Sequence, residues 1–371
     1  KGNKTEAAKL FKEGSDLSVD YIFPFRLESI NVLNLVSEYR PDDAKPLYYL
    51  GNLLYAKQPE KAIEACENAV RLDPSLAIAH RNLGWGYYHH KGDGLKAIAS
   101  YEKAMSLKKD EPVYYEELDA LYEMSNAPVE KRLALFEGSN NIVSKRDDAF
   151  ARQITVLTLA GKPEKSVEYL TGRKFNYREG SSRVRDIIID AHLMSGKKYF
   201  SDKNYNKALE EFLLAQVPEE EAGGSRAGNR NLQVDYFIGM AYDALGNRTK
   251  AKKYYALSTS QESGSLSYIK YYQGLSYLKL GKKTEADDAF NALINEGERE
   301  IKPSSSGEVD FFAKFGTREA ENARLSNAYL LKGLGYKGLG NTTAAKENLQ
   351  KAVELSAGNL YAITELRELT P

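Results

Sequence analysis

Small and large apolar residues recur along the chain at a spacing that paired helices explain. Gly239, Tyr242, Ala251, Tyr255 and Ser258 stand 3, 9, 4 and 3 residues apart, and Gly274, Tyr277, Ala286, Phe290 and Leu293 repeat those intervals 35 residues later. Gly333, Tyr336, Ala345, Leu349 and Ala352 repeat them again, as do Gly196, Tyr199, Ala208, Phe212 and Ala215. Two earlier copies differ by one residue at the turn. Gly51, Leu54, Ala62, Cys66 and Ala69 are one short there, and Gly84, Tyr87, Ala97, Tyr101 and Ala104 are one long. Intervals of three and four keep residues on one helix face, so each set marks two helices in contact. A small residue on each helix lets the backbones approach, and the large residue one turn away fills the gap beside them. Leu245-Gly246-Asn247, Leu280-Gly281-Lys282 and Leu339-Gly340-Asn341 supply the turns, where glycine suits the left-handed residue that follows a helix. Pro74, after Arg71-Leu72-Asp73, ends a second helix.

These residues resemble the tetratricopeptide repeat, a helical hairpin of about 34 residues. The resemblance implies an all-α fold, a right-handed α-α superhelix (TPR solenoid) of about nine to ten helical pairs. Units around residues 118–136 and 154–170 keep the length but have lost much of the pattern. The expected division is therefore residues 1–171, with degenerate central units, and residues 172–371, with regular ones. Two stretches break the period. Residues 217–233 are acidic, then Gly-rich, and residues 296–318 contain Pro303-Ser304-Ser305-Ser306-Gly307, so both read as loops. Within the second, Phe311-Phe312-Ala313-Lys314-Phe315 reads either as a segment packed back over the groove or as a cover for local apolar surface. Residues 360–369 form a closing helix that caps the last pair.

Charge changes the picture by exclusion. Lys and Arg number 52 and Asp and Glu 52, which argues against a nucleic-acid-binding surface or an acidic mimic of one. Cys66 is the single cysteine, so no internal disulfide forms. No apolar run approaches the roughly 20 residues of a membrane-spanning helix. The chain opens without Met, and Thr5-Glu6-Ala7-Ala8-Lys9-Leu10-Phe11 reads as the second helix of a pair whose first is missing. A fragment is expected, with any targeting segment upstream and the compartment, cytoplasmic or periplasmic, left open.

No constellation for catalysis, metal or cofactor stands out. His89 and His90 are adjacent and expected on different sides of a helix, and no His-Glu-x-x-His or Cys-x-x-Cys spacing occurs. Cys66 falls at a large-residue packing position and reads as a buried thiol. Glu116-Glu117 and Asp147-Asp148 are adjacent acids that diverge on a helix.

The candidate site is a groove. First helices line the concave face of such stacks, and periodicity places there the residues one or four after the packing glycine and two or three before it. In one unit these are Tyr48, Tyr49, Asn52 and Tyr55; in the next, Arg81, Asn82, Trp85 and Tyr88; then Glu116, Glu117 and Glu123. Arg26, Arg146, Asp147 and Arg152 extend the surface. Asn52 and Asn82 match the asparagines with which chaperone-adaptor repeats hold a peptide's terminal carboxylate. Tyr48, Val113 and Glu117 stand where the basic residues of that clamp would be, so chaperone-tail binding is not expected. The mix suits a protein or peptide, anchored by aromatics and Arg, or a sugar, whose ring an aromatic face supports. A third reading is that Asn52, Arg81 and Asn82 simply bond neighbouring helices together, with Tyr87 and Tyr101 in the core.

A second, closer resemblance rests on an ordered set of motifs. These are Phe23-Pro24-Phe25-Arg26, Tyr48-Tyr49-Leu50-Gly51-Asn52-Leu53-Leu54-Tyr55-Ala56, Arg81-Asn82-Leu83-Gly84, Glu117-Leu118-Asp119, Arg146-Asp147-Asp148, and Phe175 with Glu179-Gly180. Their order looks like the C-terminal repeat region of large Bacteroidetes proteins that carry the domain of unknown function DUF5107, over most of residues 20–295. That resemblance implies an association with glycan metabolism. The leading expectation is a non-catalytic scaffold that binds a protein or peptide, or the chain's own upstream domain, on the concave face. The alternative is a carbohydrate-binding module using the aromatic, Asn and Arg groove.

Overall fold

The computed structural model describes residues 3–20, 22–175, 184–217, 230–260, 267–302 and 317–370. Among them the protein is all-α, built of stacked helix pairs. The helices are α1 (Lys4–Asp16), α2 (Ser29–Tyr39), α3 (Ala44–Leu54), α4 (Pro59–Leu72), α5 (Ala77–Gly86), α6 (Gly94–Leu107) and α7 (Pro112–Met124). There follow α8 (Val129–Phe136), α9 (Asn140–Val143), α10 (Asp147–Leu159), α11 (Pro163–Leu170), α12 (Val184–Ser201), α13 (Tyr205–Leu214) and α14 (Asn231–Ala244). The chain closes with α15 (Arg248–Ser260), α16 (Ile269–Lys279), α17 (Lys283–Ile301), α18 (Thr317–Gly338), α19 (Thr342–Leu355) and α20 (Leu360–Leu369). Two compact units form, the first Lys1–Tyr122 with Asn141–Lys145, the second Glu123–Asn140 with Arg146–Pro371. The division expected near residue 172 falls inside the second unit.

The turns follow from local chemistry. Gly246, Gly281 and Gly340 take φ of +78°, +76° and +80°, and the asparagine after two of them caps the next helix. Asn247 Oδ1 accepts from the Lys250 amide and Asn341 Oδ1 from that of Ala344, both at 3.1 Å. Asp43 and Asp93 cap α3 and α6 in the same way, and Pro59 and Pro163 open α4 and α11.

Within each pair the packing glycine faces the large residue expected. A Cβ on Gly274 would lie 2.5 Å from the Phe290 ring, on Gly239 2.8 Å from that of Tyr255, and on Gly333 2.7 Å from Leu349. Gly51 meets Cys66, Gly84 meets Tyr101 and Gly196 meets Phe212 in the same way. Phe290 is wedged twice, since Gly338 on the following α18 faces the same ring.

The interruptions are narrower than their composition suggests. α17 runs to Ile301 and α18 begins at Thr317, so both ends of the 296–318 stretch are helical. α14 begins at Asn231. Residues 218–229, Phe311-Phe312-Ala313-Lys314-Phe315 and Glu179-Gly180 lie outside the described residues.

In the second unit, the inner helices are α10, α12, α14, α16 and α18. α20 packs on the last pair and also returns along that inner side, contacting α10, α18 and α19 and bonding to residues of α12, α14 and α16. The turn before it is anchored by Asn126, whose side chain donates to the Glu354 carbonyl at 2.9 Å and accepts from the Ala357 amide at 2.6 Å. Asn126 does this from a left-handed conformation, φ 55°, which asparagine tolerates.

Two outcomes are expected. Gly274→Ala must move a ring held from two sides, and should cost about 1–3 kcal/mol in a thermal or urea melt. Gly14→Ala, where the added methyl meets nothing within 4 Å, should leave stability unchanged or slightly raised. Burial pushes the Asp235 carboxyl up to about 6, against a Gln216 amide that donates to it at 3.5 Å. The folded state therefore keeps a proton that the unfolded chain releases near pH 4. That contribution is full below about pH 4 and is lost as pH rises through about 6. Asp235→Asn should raise Tm at pH 7.5, by up to about 2 kcal/mol in stability, with the gain vanishing near pH 4.

Candidate functional site

The polar residues that the sequence marks in the first unit, Asn52, Arg81, Asn82 and Glu117, are joined to one another. Arg81 on α5 donates through Nε to Glu117 Oε2 on α7 at 2.7 Å, and its second guanidinium nitrogen donates to Oε1 of the same carboxylate. Its remaining nitrogen donates to Asn82 Oδ1 at 3.1 Å. Asn82 Nδ2 then donates to Asn52 Oδ1 on α3 at 2.5 Å. Burial opposes the Arg81 charge, and the Glu117 carboxylate more than offsets it, so the guanidinium pKa is raised. A chain of side-chain bonds thus links three successive inner helices.

The tyrosines divide between core and surface. Tyr48, at 2% exposure, is core, packed with Ala44, Ala69 and Ala79, and presents no face to a ligand. Burial raises its phenol pKa, against a hydrogen bond with Asn52. Tyr49 beside it is half-buried, their rings 5.1 Å apart. The Tyr55 hydroxyl donates to the Asn82 carbonyl at 2.7 Å. Its ring can cross α5 because residue 86 is glycine, where a Cβ would stand 2.5 Å from the hydroxyl. Tyr101 is core, while Tyr87 is half-buried and donates to Glu67 at 2.7 Å. Arg26 is exposed over the Phe25 ring at 5.7 Å and is not joined to the others.

A ring cluster surrounds Trp85. Tyr55 meets it edge-on at 5.2 Å, His89 at 4.6 Å and His90 at 5.3 Å, with Tyr88 against His89 at 5.0 Å. Adjacent histidines on an α-helix would diverge, but Tyr87–Lys91 is a π-helical turn. A π-turn repeats near five residues, so His90 returns to the side of Trp85 along with His89. The extra residue between Tyr87 and Ala97 is what this turn absorbs, and it sits in the helix rather than in the following loop. Trp85 and Tyr88 are half-buried, and both histidines are exposed. Partial loss of water around the ring, then the neighbouring His90, lower the His89 pKa. The histidines were missed as site residues; the surplus residue in that unit was the signal.

In the second unit the outlying candidates pair locally. Glu123 accepts from Arg132 at 3.3 Å and from Arg152 at 3.2 Å. Arg146 pairs with Asp148, and Arg173 with Asp147 while lying 4.8 Å over the Phe150 ring. Among the described residues no group of three or more His, Cys, Asp and Glu side chains could hold a metal ion, and no helix is long and apolar enough to cross a membrane. Cys66 is buried and its thiol is pushed up to about 11 by that burial, which suits packing rather than nucleophilic attack.

Three stretches of the chain match models of a known repeat. Residues 236–262 and 326–359 match one model of the tetratricopeptide repeat, and residues 268–296 match a second. The chain thus contains tetratricopeptide repeats. Among solved structures it is similar to YrrB, titled a TPR protein with an unusual peptide-binding site, at 15% identity over 68% of this chain and 99% of that one (TM-score 0.34). A tetratricopeptide repeat protein from Parabacteroides merdae is similar at 16% identity over 88% and 98% (TM-score 0.35). The apo form of RapI is similar at 12% identity over 95% and 96% (TM-score 0.45).

The bidentate pair sets the test of the polar seam. Arg81→Ala leaves Glu117 uncompensated and should cost roughly 1–3 kcal/mol in a urea melt. Arg81→Ala with Glu117→Ala should cost less than the sum of the single changes; strict additivity in the double-mutant cycle would mean the pair contributes nothing.

Proposed function

We propose that the first unit is a non-catalytic protein-interaction module. Its inner face takes a segment of a protein or peptide partner, or of the chain's own upstream region. The observation that supports this reading is the cluster of Trp85, Tyr88, His89 and His90, half-buried to exposed on a rigid polar seam. Rings held in place by neighbours offer contact area at small entropic cost. Arg81, Asn52, Asn82 and Glu117 position that cluster and set the groove's floor, and Tyr49 extends it. The sugar reading fits less well, because these polar groups are engaged with one another rather than turned outward. A place among the DUF5107-containing proteins of Bacteroidetes belongs to the same proposal and rests on the ordered motifs of the first half alone.

Trp85 is the single tryptophan, so its emission reports on this site. Partners captured from the source organism's lysate by the native chain should be lost by Trp85→Ala/His89→Ala at unchanged Tm. A peptide from such a partner should shift the emission of the native chain with saturation. Capture of the same proteins by both chains, or a bound peptide that leaves Trp85 emission untouched, would sink the assignment.

A further inference from the structure

α20 lies in the second unit as a ligand lies in a site. Its polar side chains meet the inner helices at two stations. At the first, the Tyr361 ring stacks on Tyr268 at 4.3 Å, its hydroxyl donates to Asp190 at 2.5 Å, and Arg230 donates to that hydroxyl at 2.5 Å. Arg230 is itself buried and held by Asp190 at 2.6 Å and Asp186 at 3.0 Å. At the second, Glu365, at 2% exposure, accepts from Lys197 at 3.2 Å and Lys337 at 2.5 Å, with the Tyr272 hydroxyl at 3.4 Å. Glu368, one turn on, reaches the same two lysines at 2.7 and 2.6 Å. Burial alone would raise the Glu365 pKa; the two lysines overcome it and hold the carboxyl below its usual range. Between the stations Ala362 is fully buried, and Leu366 and Leu369 pack against the core.

Without α20 these inner helices would present two lysines and the rings of Tyr268 and Tyr272. Lys197 and Lys337 would lose the carboxylates that compensate their burial, a costly state. The charge pattern therefore specifies what can replace α20. We propose that the inner face of the second unit is a helix-binding channel, that α20 is its resident occupant, and that an acidic amphipathic partner helix enters by displacing α20. Such a helix carries an aromatic hydroxyl and two carboxylates at the spacing of Tyr361, Glu365 and Glu368. The short turn from α19 keeps the resident helix at an effective concentration of the order of millimolar, so a partner must bind well to compete, and weakening α20 opens the channel.

The probe is an isotope-labelled synthetic peptide of residues 358–371, used with the full chain. A chain carrying Tyr361→Ala and Glu365→Ala should bind it at least about tenfold more tightly than the native chain does, because a larger fraction is open. The same peptide carrying both substitutions should not bind. Equal binding of the two peptides by the folded variant would overturn the proposal. If circular dichroism shows the variant unfolded, hydrogen exchange on the native chain decides. Millimolar peptide should speed exchange in residues 360–369 and leave α14 and α16 protected; unchanged exchange there would equally overturn it. A concentration-dependent dimer of the variant, seen by light scattering and dispersed by the peptide, would make a second copy the occupant and reject a separate partner.

Discussion

The close approach of a glycine on one helix to a large side chain on its partner is the contact on which everything else here depends. At Gly239, Gly274 and Gly333 even a methyl group would collide with Tyr255, Phe290 and Leu349. The contact fixes the distance between the helices of a pair and, equally, their rotation, since the ring enters only one face. Once the rotation is set, every other side chain on the first helix has a settled direction. Phe290, pressed from the next pair by Gly338, carries the same constraint from one pair to the following one. Order at the inner surface is a consequence of packing at the glycines.

That consequence was readable. Counting one or four residues on from the packing glycine, or two or three back, picks Asn52, Arg81, Asn82 and Trp85 in the first unit; the structure joins the first three by hydrogen bonds and sets Trp85 against Tyr55. The same rule applied to Gly196, Gly274 and Gly333 picks Met194, Lys197, Tyr272 and Lys337, all of which touch α20. Turn chemistry was equally legible, because Gly-Asn performs two separable tasks in adjacent positions: left-handed backbone, then cap. What the rule does not give is depth. Tyr48 and Tyr49 are neighbours on one helix, and only the bulk of the facing helix decides that the first is core and the second half-exposed.

Two features were illegible for different physical reasons. A surplus residue between two packing positions can lengthen a turn or widen a helix. Spacing alone does not separate the two, because both restore the register at Ala97. The choice of a π-turn brought His89 and His90 onto Trp85, so a one-residue ambiguity decided the make-up of the ring cluster. The path of α20 is the second case. Its own pattern reads as a cap for the last pair, and it does pack there. Its return along α12, α14 and α16 depends on residues 93 to 171 positions earlier, from Tyr272 back to Asp190, which no local period can register.

The two inner faces solve one problem in overlapping ways. Polar groups on a concave face lose water when the helices close around them and must find partners. In the first unit they find one another: Arg81 takes Glu117, and Asn82 takes Asn52, which leaves rings as the exposed surface. In the second, Arg230 takes Asp190 and Asp186 in the same manner, but Lys197 and Lys337 stand on α12 and α18 with their carboxylates supplied by Glu365 and Glu368 of an added helix. A self-satisfied floor needs no occupant to complete it. A floor completed by its occupant is selective by charge, since any replacement lacking both carboxylates leaves two ammonium groups uncompensated. The two faces thus differ in one respect: whether the opposite charge lies on a neighbouring inner helix or on an added one.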